Sequence, residues 1–274
     1  MKHQQLLDKL AAKTLVKALD EDLARLVWRS MTGTHSATVE SQLEYVLPKL
    51  LDRWNAVLLA SDEGVSPLYK AKTILAMVTL LHKYGFADPA LTEQALVAID
   101  ELNEAVALSD EFYRRSPMFK NELREAPTPL KRKPPYQDGM TFYRAEDVIA
   151  LQLDGHYYAA YVRELAGTNE CPVIEFYGHV FDHVPTINEL VGLPAQGYSD
   201  GTIARFSVSG IKYQPDPANQ ITLVGACSAE IPDSSQLDKP VGLYVVTDIF
   251  SIQHTIRCLF ACPIPNPDEG TVSN

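Results

Sequence analysis

Apolar residues recur at helical spacing through the first 125 positions, then gather into short runs broken by turn residues. Leu15, Leu19, Leu23 and Leu26 step by four, four and three, which sets them on one helical face. Ser36 and Thr38 offer N-caps for a second helix carrying Leu43, Leu47, Leu50, Trp54 and Leu58, with Pro48 as a kink or break inside it. Ser66-Pro67 opens a third stripe, Ala71, Ile74, Leu75, Val78 and Leu81, which stops at Tyr84-Gly85. Asp88-Pro89 repeats the start signal, and Leu91, Leu96, Ile99, Leu102 and Val106 continue helically towards Phe112. Four or five such helices make a small bundle.

Pro127, Pro129, Pro134 and Pro135 follow Pro117 closely, and the run PTPLKRKPP cannot continue a helix. With Lys131, Arg132 and Lys133 it reads as a solvated basic linker. Beyond Gly139 the period changes. VIALQL (148–153) and HYYAAYVR (156–163) flank Asp154-Gly155, the strongest short-range hairpin signal. Further strands are expected at VIEFYGHVF (173–181), TIARFSV (202–208), ITLVGAC (221–227), VGLYVVTDIF (241–250) and TIRCLF (255–260), with a short helical turn at PTINEL (185–190). The expected class is α+β. A helical bundle (1–125) and a basic linker (126–140) precede an acidic, antiparallel β barrel or sandwich-like domain (141–262) and a disordered tail (263–274).

Composition sharpens this picture in one respect. Apolar residues at 46% and charged residues at 22% are globular proportions. The net charge of −11 is unevenly spread: residues 1–125 carry −3, 126–140 carry +2 and 141–274 carry −10. A half at −10 repels phosphates and anionic membranes and attracts basic partners, so neither nucleic acid nor membrane is an expected partner. No apolar stretch approaches the ~20 residues of a membrane span or forms a signal peptide, which points to a cytoplasmic protein.

Candidate chemistry is sparse. No G-x-S-x-G, S-x-x-K, P-loop or G-x-G-x-x-G pattern occurs, so no catalytic residue and no cofactor is expected. His179, Asp182 and His183 in HVFDH are the most metal-like group, but on a strand residues four apart do not converge as helical ligands do. Cys171, Cys227, Cys258 and Cys262 sit among apolar residues and read as small buried hydrophobes; Cys258 and Cys262, spaced C-x3-C, lack a partner pair at zinc-site spacing. Of the aromatic cluster Tyr157, Tyr158, Tyr161, Phe176 and Tyr177, alternation puts Tyr157 and Tyr161 on one sheet face and Tyr158 on the other. One face suits a core, and the other leaves an interface open.

YRAEDVIALQLDGHYYAAYVRE (143–164) and VIEFYGHVFDHVPTINEL (173–190) resemble the immunity protein 26 family of polymorphic-toxin and contact-dependent inhibition systems. Where that family tends to show glycine, this chain has Glu146 ahead of Asp147; residues 1–125 lie outside the resemblance. The resemblance implies an antitoxin-like protein that binds and blocks a toxin domain. The strong negative charge suits a basic toxin. Asp147, Asp154, Glu175, Asp182 and Glu189 are the expected acidic contacts, with Tyr158 and Tyr177 as aromatic anchors. The rival expectations are a metal-assisted hydrolase built on His179, Asp182 and His183, and a non-catalytic scaffold or adaptor.

Overall fold

A computed structural model describes residues 3–32, 38–239 and 242–261. The chain divides into two compact units, Met1–Gln137 and Asp138–Asn274. Among the described residues the first unit holds six helices: α1 (His3–Lys9), α2 (Lys13–Ser30), α3 (Val39–Leu58), α4 (Pro67–Lys83), α5 (Pro89–Glu104) and α6 (Asp110–Arg124). The second holds a six-stranded sheet with α7 (Ile187–Leu190) and α8 (Ser251–Ala261).

The helical starts lie where their capping chemistry predicts. Ser66 and Asp88 accept the backbone N–H of Tyr69 and Leu91, each beside a first-turn proline. Thr38 caps α3; the alternative cap, Ser36, lies outside the described residues. Helix α4 packs against the other five, and its burial extends beyond the predicted stripe to Ala76, Met77 and Leu80. Its buried Thr73 and Thr79 hydroxyls donate to Tyr69 and Leu75 carbonyls, which removes the cost of burying them.

Three points refine the expectations for this unit. Helix α3 runs through Pro48 unbroken, and α6 runs through Pro117; both prolines are exposed. The helical path from Leu102 to Phe112 is interrupted, because Val106 takes φ +49 and Ser109 caps a new helix. The basic segment keeps Lys131, Arg132 and Lys133 exposed while touching the helices at a few points. Glu125 offers its carbonyl to His82 at 3.0 Å, Tyr136 meets Trp28 edge-on at 5.5 Å, and Lys133 lies 5.5 Å above the Trp28 ring. Gly85, at φ +88, permits this approach: a Cβ there would sit 2.8 Å from the Pro129 Cα.

In the second unit the strands are β1 (Val148–Leu153), β2 (His156–Ala166), β3 (Cys171–Phe181), β4 (Arg205–Ser209), β5 (Ile221–Gly225) and β6 (Val245–Asp248). Asp154 and Gly155 both take positive φ, +54 and +80, as the two-residue turn between β1 and β2 requires. The sheet order is β5-β1-β2-β3-β4-β6. All pairings are antiparallel except β4 with β6, which is parallel. The sheet is therefore mixed and open, with β5 and β6 at its edges. It is neither the antiparallel barrel nor the sandwich expected from the strand pattern.

Residues 251–261 form α8, not a strand at 255–260. Ile252, Ile256 and Leu259 are buried at helical spacing, and Asp248 accepts the Ser251 N–H at 2.9 Å at the helix start. Phe260 of α8 packs on Tyr158 and Phe176, and Phe176 on Phe206. Val148, Tyr161, Tyr177 and Phe181 form a second cluster with Leu190, into which Ile187 of α7 packs. With both faces covered, β1 is buried almost continuously, as such strands are. The cysteines depart from the buried expectation: Cys227 and Cys258 are exposed and Cys171 is half-buried, while Cys262 and the 263–274 tail lie outside the described residues.

Candidate protein-binding surface

Residues 141–147 open β1 with a turn that uses Asp147. Its carboxylate accepts the Arg144 N–H at 2.7 Å, and its own N–H reaches the Arg144 carbonyl. The next feature is a bulge. Glu146 N–H donates to the Val162 carbonyl and Val162 N–H to the Asp147 carbonyl, so two residues oppose one. The first residue of such a bulge sits in the left-handed region, and Glu146 has φ +71.

Four of the seven expected contact residues are internal. Asp147 is 6% exposed and closes the turn just described. Glu175 is 1% exposed and lies between two guanidinium groups, with Arg205 Nε at 2.7 Å and Arg163 Nε at 3.3 Å. Tyr177 is fully buried and donates its hydroxyl to the Glu230 carbonyl; burial pushes its pKa up strongly. Tyr158, 8% exposed, packs under Phe260, and desolvation raises its pKa. These residues build the sheet rather than face a partner, so neither tyrosine is an anchor. Strand alternation alone could not place them, because both sheet faces are covered.

Asp154, Asp182 and Glu189 are exposed, and the fold brings them to one end of the sheet. The register explains why: Leu153 pairs with His156 across the hairpin, and Tyr157 pairs with Phe181, the residue before Asp182. Arg257 of α8 grips Asp154 through two bonds of 2.8 and 2.9 Å, and this hydrogen bonding holds the carboxyl below its ordinary range.

His183 joins the other two carboxylates. Its Nδ1 lies 2.6 Å from Asp182 Oδ1 and its Nε2 2.9 Å from Glu189 Oε1. Only an imidazolium carries a proton on both nitrogens, so this geometry is that of the charged ring. The bond to Asp182, then that to Glu189, raises the His183 pKa. Glu189 Oε2 also accepts the Thr186 N–H and hydroxyl at 2.7 and 2.8 Å. These Thr186 bonds, ahead of His183, hold Glu189 down at about 2. Arg257 and charged His183 thus offset two of the three carboxylates. Beside them Val180, Val184 and Val191 expose apolar side chains.

The His179, Asp182 and His183 group does not converge on a metal. His179 stacks edge-on against Phe181 at 4.6 Å while carboxylates take both His183 nitrogens, and among the described residues no three His, Cys, Asp or Glu side chains are placed to hold an ion. Sequence reading missed Arg257, the exposed valines and the engagement of Glu189. The last had a visible signal, since Thr186-x-x-Glu189 is a capping-box spacing. Among the described residues no helix is long and apolar enough to cross a membrane. No family model, no curated protein and no solved structure matches this chain.

Proposed function

We propose that this protein acts by binding: it holds a basic protein partner, a toxin domain of the kind immunity proteins neutralise, against the hairpin end of its C-terminal unit. The observation that carries the reading is the exposed group Asp154, Asp182 and Glu189 beside Val180, Val184 and Val191. Apolar contact area with charged groups around it suits a protein interface better than a small-molecule site. The −10 charge of residues 141–274 favours a basic partner by steering its approach. The resemblance over 143–190 gains a physical point of agreement. Glu146 stands where the immunity protein 26 family tends to have glycine, and its φ of +71 is one that glycine adopts freely.

Co-expression with the product of the adjacent gene tests this. Rescue of growth together with a stable complex is the expected result; a harmless neighbour that forms no complex overturns it. Within such a complex, Asp182→Lys slows association and flattens its salt dependence, whereas reversing Asp200, on a different loop, does neither.

A further inference from the structure

Helix α8 runs where a strand was expected at 255–260, and it places Cys258 on the same face as His254, which precedes that stretch. On a strand, residues four apart are separated by about 13 Å. On a helix they are neighbours on one face. In α8, His254 and Cys258 are such a pair, both exposed, with His254 Nε2 3.6 Å from Cys258 Sγ. Tetrahedral zinc holds sulfur at about 2.3 Å and imidazole nitrogen at about 2.0–2.1 Å, which sets two such donors about 3.5 Å apart. The ring nitrogen and the sulfur already stand at the separation of one edge of a zinc tetrahedron.

We propose that His254 and Cys258 form a two-donor site for Zn²⁺ or a similarly borderline-soft divalent cation on the exposed face of α8. The neighbouring cation, Arg257, is drawn to Asp154 by two hydrogen bonds, so its charge is matched there. Among the described residues no third His, Cys, Asp or Glu completes the set. Binding replaces the thiol proton: the S–H bond breaks, the sulfur electron pair goes to the metal, and one proton leaves to solvent. Affinity therefore rises with pH. The site adjoins the hairpin surface through Arg257, which grips Asp154, but metal binding by His254 and Cys258 does not rest on that surface's role.

Titrating the full chain with Co²⁺ tests the proposal, because cobalt bound by thiolate shows a sulfur-to-metal charge-transfer absorption. The expected result is one Co²⁺ per chain with that absorption, displaced by Zn²⁺. Cys258→Ser abolishes it, His254→Ala weakens binding by at least about tenfold, and Cys227→Ser leaves it intact. Absence of the absorption, or its survival in Cys258→Ser, overturns the proposal. All three positions are at the surface, and far-UV circular dichroism verifies that each variant is folded.

Discussion

Glu175 and Glu189 lie in one stretch of chain and look alike in sequence, yet their settings are opposite. Glu175 is buried between Arg163 and Arg205, two cations that never lose their charge. Glu189 is exposed and shared between Thr186 and His183, whose charge depends on pH. The difference teaches that the partner, as much as burial, decides what a carboxylate does. With arginine it becomes a fixed part of the fold; with histidine it becomes an adjustable part of the surface.

The sharpest way to break this contrast is Glu175→Ala, which leaves two half-buried guanidinium groups without their anion. Urea unfolding should show a loss of about 1–3 kcal/mol, at pH 6 and pH 8 alike. A loss below 1 kcal/mol would place Glu175 with the surface carboxylates. Next in size is Glu146→Gly. It removes a side chain from a left-handed position and should stabilise by up to about 1 kcal/mol, after glycine's own entropy cost is set against the relief; a destabilised variant would argue against the bulge. Glu189→Ala should cost far less than Glu175→Ala and should lower the His183 titration midpoint, read by NMR of the ring protons. The smallest effect belongs to His183→Gln. The folded pKa of His183 lies above its ordinary value of about 6.5, so its contribution is complete below that pH and fades as pH climbs through the folded value. The variant should flatten the stability profile over that window, and an unchanged slope would show that the clamp carries no stability.

Local chemistry made part of this molecule legible in the sequence. Asp154-Gly155 marks its hairpin because few residue pairs accept two positive φ angles. Ser66-Pro67 and Asp88-Pro89 mark helix starts because the caps act within three residues. What depends on distant partners was hidden. The parallel pairing of β6 with β4 follows from a crossover of the whole intervening chain, which no short window displays. Residues 255–260 read as a strand because Ile256, Leu259 and Phe260 are too few to separate a period of two from 3.6. The candidate surface was legible only in part: of its expected residues Asp154, Asp182 and Glu189 are exposed. Tyr158 is covered by Phe260 of α8, Tyr177 packs in the cluster with Leu190 of α7, Glu175 pairs with arginines of the two neighbouring strands, and Asp147 closes its own turn; the pattern of one strand shows none of these partners.

Arg257 and Asp154 stand 103 positions apart, and their bond ties the last described helix to the first hairpin. Strand β5, at the far edge beside β1, comes between β4 and β6 in the chain. The two edges of this sheet are therefore not in place until nearly all of it has been synthesised. A nascent chain that has emerged only as far as β4 exposes Phe176 and Phe206, together with the backbone edges that β5 and β6 will occupy. The second unit therefore lacks its edge strands and α8 until its last described residues are made, and a ribosome stalled before α8 would present an unfinished, sticky sheet to the cell.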